Sequence, residues 1–218
     1  MEAGQVLGER LREYEPEEPV ILGLPRGGVP VAAEVARALN APLDVIVVRK
    51  LEAPGRPECA LGAIGEDGVR FVDWQVVSDL GVTARQLERA IQSERLELEH
   101  RARRLRAANG RLDIRDRNVI IVDDGMVTGA TVTAAVRVAR DLGARRIVVA
   151  APVAPAEVVR LLERISDAVL VLESPDQFSA VGEAHVDFRR IDDEEVLSIL
   201  HQMRAATASF PVDMSRSA

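Results

Sequence analysis

The sequence predicts an α/β fold: an open parallel sheet with helices on both faces. Three observations predict it. Residues 20–24 (V-I-L-G-L) and 119–122 (V-I-I-V) are short continuous apolar runs, each leading into a glycine-containing loop and then a helical pattern. Such runs are how parallel strands buried on both faces read. Strand and helix patterns then keep alternating to residue 172, and a repeated β-α-β rhythm implies a parallel sheet joined by crossovers. The chain is 47% hydrophobic but only 3% aromatic, so its core must be built from Val, Leu, Ile and Ala.

The 218 residues suit one large domain, expected over 1–204, with a polar, loose tail over 205–218. A net charge of −7 disfavours a broad surface for nucleic acid or an anionic membrane. Cys59 is the single cysteine, which excludes an intramolecular disulfide and any multi-cysteine zinc site. No apolar run approaches membrane-spanning length and no signal-peptide pattern opens the chain, so a cytoplasmic protein is expected. Of 28 basic residues, all but Lys50 are arginine. A sole lysine is a pointer to chemistry that needs a compact, mobile ammonium, although coding bias also leaves such a residue.

Taken in order, residues 1–18 form a short amphipathic helix (Val6, Leu7, Leu11) ending near Pro16, an element that covers the core. After the strand at 20–24 comes Pro25-Arg26-Gly27-Gly28. Pro30 suits a first helical turn, and Val31, Val35, Ala36 and Leu39 mark the helix. The loop matches neither the Walker A pattern nor G-x-G-x-x-G; paired glycines and an arginine at a helix start suit an anion. Residues 43–48 form the next strand, ending in Arg49-Lys50, which places two cations on the ligand side of such a sheet. Residues 51–68 are rich in Gly and Pro and are expected to be a flexible loop, about 50–68, with Arg56 and Glu58 as possible contacts and Cys59 a small half-buried residue.

Residues 69–74 look like an edge strand. Residues 83–108 form a long charged helix with one narrow apolar stripe: Ala84, Ile91, Leu98 and Leu105, beside Leu87 and Ala102. Its basic residues (Arg101, Arg103, Arg104, Arg106, then Arg111) raise the question of RNA, but the dense Glu before them favours a solvated helix. The stripe packs on the domain or on a partner chain.

Residues 119–131 read V-I-I-V-D-D-G-M-V-T-G-A-T. Behind them Val132, Ala135, Val136 and Ala139 fall on one helical face. A strand, the acidic pair Asp123 and Asp124, a Gly/Thr loop and a helix thus follow one another. Free N–H groups at the helix start attract a phosphate, and glycines let the backbone come close. Carboxylates repel phosphate, so Asp123 and Asp124 must serve another part of the ligand: sugar hydroxyls or a divalent cation. Strands over 146–153 and 168–172 and a helix over 156–165 follow. Phe178, His185 and Phe188 lie in a segment of about 173–190 that has no clear periodicity. A last helix is expected over 192–202.

The acidic pair followed by G-x-x-T-G-A-T resembles the phosphoribosyl pyrophosphate (PRPP) motif of type I phosphoribosyltransferases. The chain is most similar to a bacterial group assigned to that activity from sequence, which shows P-R-G-G, the R-K strand end, P-E-x-A-x-G-A at 57–63 and V-D-D-G-x-x-T-G-A-T. The resemblance spans roughly residues 19–195. It implies a type I phosphoribosyltransferase-like fold with a small hood over 173–190 and a loop that closes over the site. It implies transfer of the phosphoribosyl group of PRPP to a nitrogenous base with release of pyrophosphate, and Mg²⁺ as cofactor. By the same resemblance Asp123 and Asp124 hold the ribose hydroxyls and the metal. Gly125, Met126, Val127, Thr128, Gly129, Ala130 and Thr131 bind the 5′-phosphate. Arg26, Gly27, Gly28, Arg49 and Lys50 take the pyrophosphate, with Lys50 as a catalytic candidate. A homodimer is compatible with the family. The chain departs from purine salvage enzymes at Val127, where they often carry an acid, which leaves the general base and the acceptor open. A non-catalytic PRPP or nucleotide sensor, or a hydrolase of phosphoribosyl compounds, are the alternatives on the same fold.

Overall fold

The computed structural model describes residues 2–106, 110–175 and 191–208. Five parallel strands form the main sheet: β1 (Val20–Gly23), β2 (Leu43–Val45), β6 (Asn118–Val122), β7 (Arg146–Val153) and β8 (Ala168–Glu173), in the spatial order β2-β1-β6-β7-β8. Successive residues of a strand point to opposite faces, and here each face has its own core. Ile21, Ile120 and Val122 pack into one core with the helices α1 (Glu2–Arg10), α2 (Gly28–Ala38), α4 (Ala84–Arg106) and α7 (Asp193–Ala208). Val20, Leu22, Val119 and Ile121 pack into the other, with α5 (Ala130–Asp141) and α6 (Ala156–Leu162). The expected open parallel sheet with helices on both faces is therefore observed.

The path from β1 steps to β2 on one side, and the path from β6 steps to β7 and β8 on the other. The order reverses between β1 and β6. Such a reversal opens a crevice beyond the carboxyl ends of the two strands, the usual ligand position in a sheet of this kind.

Two expectations need correction. The strand over 43–48 does not carry Arg49 and Lys50 at its end. The parallel strand stops at Val45, and the chain re-enters as β3 (Val48–Ala53) of a second, antiparallel sheet with β4 (Arg56–Gly65) and β5 (Arg70–Val72). The Gly/Pro-rich stretch is thus a hairpin and not an irregular loop. Pro54 and Gly55 make its two-residue turn, with Gly55 at φ +74°, a proline-glycine pairing that suits such a turn. The inner glycines serve close packing. A Cβ on Gly62 would lie 2.1 Å from the Phe71 carbonyl oxygen, and one on Gly65 would lie 2.6 Å from Val138 Cγ1 of α5. Ala63 and Ile64 between them are buried, as is Leu61 just before. The expected edge strand is β5, and Trp74, placed in it by sequence, instead opens the short helix α3 (Trp74–Asp79), capped by Asp73.

The long helix forms as expected, with Leu87, Ile91, Leu98 and Leu105 buried and Ala84 exposed. Its stripe packs on its own domain. Its last residue, Arg106, reaches Asp44 at 2.5 Å and Glu66 at 2.8 Å, and also donates to the Val45 carbonyl. Asp44 is only 1% exposed and also accepts from the Leu112 N–H. This ion-pair cluster ties the end of α4 to both sheets. The last helix runs on to Ala208, past the expected start of the tail. Phe178, His185, Phe188 and most of the expected hood lie outside the described residues, as does the tail beyond Ala208.

Removing one partner of a buried ion pair leaves the other charge uncompensated. Arg106→Ala is expected to cost about 3 kcal/mol or more, read as a lower urea midpoint. A loss below about 1 kcal/mol would place Asp44 in contact with water and refute this role.

Candidate functional site

The two loops of interest leave neighbouring strands. β1 and β6 run in register, Gly23 beside Val122. The Leu24 N–H donates to the Val122 carbonyl at 2.9 Å, so the first loop starts against the end of β6. From there Pro25 to Gly27 lead into α2, and Asp123 to Gly129 lead into α5. The Pro25–Arg26 peptide is cis.

The loops touch, and glycine is what lets them. A Cβ on Gly27 would stand 1.9 Å from Asp124 Oδ2. One on Gly28 would stand 2.7 Å from the Val122 carbonyl oxygen and 3.1 Å from Asp123 Oδ1. No other residue fits at Gly27 unless Asp124 moves. The acidic pair and the Arg26 loop therefore meet beyond the carboxyl ends of β1 and β6, the reversal point where ligands bind in sheets of this kind.

The second loop is pinned from below. The Asp123 N–H donates to the Ala150 carbonyl and the Met126 N–H to the Val153 carbonyl, both on β7. Met126 is 2% exposed, with its side chain in the core. Of the expected phosphate-binding residues it alone is fully committed elsewhere: it anchors the loop and has no donor to offer. Thr128 and Thr131 are exposed, Val127 is half-buried and Gly125 is buried. Gly129 has φ +68° and stands where a Cβ would meet Val158 at 2.7 Å, so it alone permits the turn into α5 at Ala130. The start of α5 leaves N–H groups without helical partners, the usual setting for a phosphate.

Asp123 and Asp124 interact directly. The Asp124 N–H donates to Asp123 Oδ1 at 3.0 Å. Loss of water around the Asp123 carboxyl, together with the Asp124 charge beside it, holds its pKa well above the ordinary carboxylate range. Two carboxylates this close favour a ligand that donates protons or carries positive charge. Among the described residues no group of three or more His, Cys, Asp or Glu is placed to hold a metal ion. The donor set still fits Mg²⁺, which is commonly held by one or two carboxylates with the remaining sites filled by water and substrate phosphate.

The basic candidates divide. Arg49 turns to α4 and pairs with Glu94 at 2.7 Å. Lys50, next along β3, projects to the opposite face of the strand, with Glu52 at 3.2 Å. Val48, on the same face as Lys50, packs with the core of α5, and Leu51, on the same face as Arg49, packs with the core of α4. Arg49 and Lys50 thus leave β3 on opposite faces, Arg49 on the side of α4 and Lys50 on the side of α5. Arg56 is exposed at the hairpin tip. Sequence reasoning places Arg101 of α4 only in a basic cluster, whereas its charge is felt together with those of Arg26 and Arg49. A signal exists in the spacing: Arg101 lies seven residues after Glu94, on the same helical face.

A family model described as the phosphoribosyl transferase domain matches residues 1–189. The chain belongs to this family. Two Mycobacterium tuberculosis proteins, one from each of two strains, carry the provisional name phosphoribosyl transferase and are 45% identical over 199 residues. That match covers 91% of this chain and 45% of theirs, so the chain spans under half the length of these relatives. The crystal structure of TT1426 from Thermus thermophilus is 44% identical and superposes with a TM-score of 0.85, covering 92% of this chain and 95% of that one. No helix among the described residues is long and apolar enough to cross a membrane.

The Asp123 environment makes a pH prediction. A carboxyl whose pKa is raised by folding stabilises the fold while it is protonated, and that stability is lost as pH rises through the raised value. Asp123→Asn should therefore raise the melting temperature at neutral pH, with the gain vanishing as pH falls to the ordinary aspartate range. A gain that is constant from pH 4 to 8 would contradict the assignment.

Proposed function

We propose that the protein transfers the 5-phosphoribosyl group of PRPP to a nitrogenous base and releases pyrophosphate. The observation that carries this is the contact between the two loops, Gly27 against Asp124, which assembles an acidic pair, a helix start and an arginine-bearing turn in one crevice. Each part matches one part of PRPP. The Gly125–Thr131 loop and the start of α5 take the 5′-phosphate. Asp123 and Asp124 accept hydrogen bonds from the ribose hydroxyls. Arg26 and the N–H of Gly27 take the pyrophosphate, with Arg49 behind them, while the Gly28 N–H is held by the Leu24 carbonyl.

In the reaction the C1–O bond breaks and its electron pair leaves with pyrophosphate. The lone pair of an acceptor nitrogen forms the C1–N bond, and the nitrogen's proton is released. Positive charge develops at the ribose ring as the bond breaks, and the nearby carboxylates favour it electrostatically. The arginines favour the charge that builds on the leaving group. Mg²⁺, when bound, would neutralise part of the pyrophosphate charge, with Asp123 and Asp124 the residues that would hold it. Catalysis on this reading is mainly positioning and electrostatics.

A second reading is PRPP binding without transfer. It is favoured by the Gly125–Thr131 loop, which carries no acid or base side chain to take the acceptor's proton.

The test is pyrophosphate release from PRPP and Mg²⁺ across a panel of purine and pyrimidine bases. Release that depends on one base class establishes the transfer and names the acceptor; PRPP binding with no base-dependent release favours the second reading. Gly27→Ala should weaken PRPP at least about 10-fold, since overpacking of this kind costs about 1–3 kcal/mol. Wild-type affinity in that variant would refute the proposed site.

A further inference from the structure

Three arginines come from three separate elements, Arg26 after β1, Arg49 in β3 and Arg101 in α4, and the charges of Arg26 and Arg49 both act on Arg101. Like charges held together cost free energy unless an anion or acidic partners offset them. Arg49 has Glu94. Arg26 has no ion-pair or hydrogen-bond partner for its side chain among the described residues. Arg101 is the informative one. Its side chain is 25% exposed, and the nearest carboxylate oxygen, Asp193 Oδ1, lies 3.6 Å from its Nη2. Its Nε is buried and makes no hydrogen bond, and Asp193 Oδ1 likewise accepts none. Asp193 is also shared with Arg104, 3.5 Å away, which pairs in addition with Glu194 at 2.6 Å.

A guanidinium inside the protein with an unused N–H is costly to leave so. Burial lowers the pKa of Arg101; Asp193 opposes this, and Arg26 and Arg49 add to it. The placement is regular: Arg101 follows Leu98 of the buried stripe by three residues, as Glu94 follows Ile91. Glu94 and Arg101 therefore stand two turns apart on one face of α4, the face that Glu94 turns to Arg49 of β3.

We propose that Arg101 is a third arginine ligand of the pyrophosphate group, completing a clamp with Arg26 and Arg49. The inference rests on the phosphoribosyl-transfer reading. Pyrophosphate is the fitting ligand because Arg26, whose charge acts on Arg101, belongs to the loop proposed for pyrophosphate, whereas the 5′-phosphate has its own loop at the start of α5. Its oxygens match the planar forks of arginine, which bind them in pairs. In the free protein Asp193 holds Arg101 loosely, so the bound anion takes up N–H groups that are not otherwise satisfied.

The experiment is titration calorimetry with inorganic pyrophosphate and Mg²⁺, and separately with ribose 5-phosphate. Arg101→Gln should weaken pyrophosphate about 10-fold or more, the usual scale for a lost charged hydrogen bond, and leave ribose 5-phosphate unchanged. Arg101→Lys, which keeps the charge but not the fork, should fall between. Arg103→Gln, on the exposed face, should match wild type. Wild-type pyrophosphate affinity in Arg101→Gln overturns the inference, as does an equal loss for both ligands, which would mark a structural role. If Arg101→Gln does not fold, Arg101→Lys decides: undiminished pyrophosphate affinity overturns the inference. Wild-type binding of ribose 5-phosphate alone overturns the clamp and leaves the 5′-phosphate site standing. Binding of neither ligand overturns both.

Discussion

The closeness of the two loops is the constraint on which the rest of the site depends. A Cβ at Gly27 would displace the Asp124 carboxylate, and one at Gly28 would meet the backbone at the end of β6. The contact follows from topology: β1 and β6 are neighbours, in register, at the point where the sheet order reverses. Loops from such strands must share a crevice. Pinning from β7, through Asp123 and Met126, keeps the acidic loop from relaxing away.

Charge in the proposed site is separated by element. The acids come from the turn after β6; the arginines come from the turn after β1, from the antiparallel sheet and from the long helix. That helix is fixed at both ends of its inner half: at Glu94 by Arg49, and at Arg106 by Asp44 and Glu66. A ligand with hydroxyls at its centre and strong negative charge at both ends suits this arrangement better than a neutral one does.

Much of this is legible in the sequence because its signals are local. Strands buried on both faces read as apolar runs, and the parallel sheet, α2, α4 and α5 are visible that way. The acidic-pair loop is contiguous, so its residue types and spacing stand together. What escapes is either masked or distant. The glycines of 51–68 look like breakers, yet Gly62 and Gly65 are required by Phe71 and Val138, which are remote in sequence. Alternation cannot be seen through them, so a hairpin reads as a loop, although Pro54-Gly55 marks its turn. Arg49 and Lys50 read as a pair because they are adjacent, but adjacency in a strand sends them to opposite faces. Arg101 gains its meaning only from Arg26 and Arg49, and no local pattern joins those three.

The claim that both loops form one site for one ligand is tested most directly by hydrogen exchange measured peptide by peptide, with and without PRPP and Mg²⁺. The account predicts slower exchange together in residues 24–29 and 123–131, at the same ligand concentration. Protection confined to one loop, or appearing elsewhere on the sheet, would contradict it.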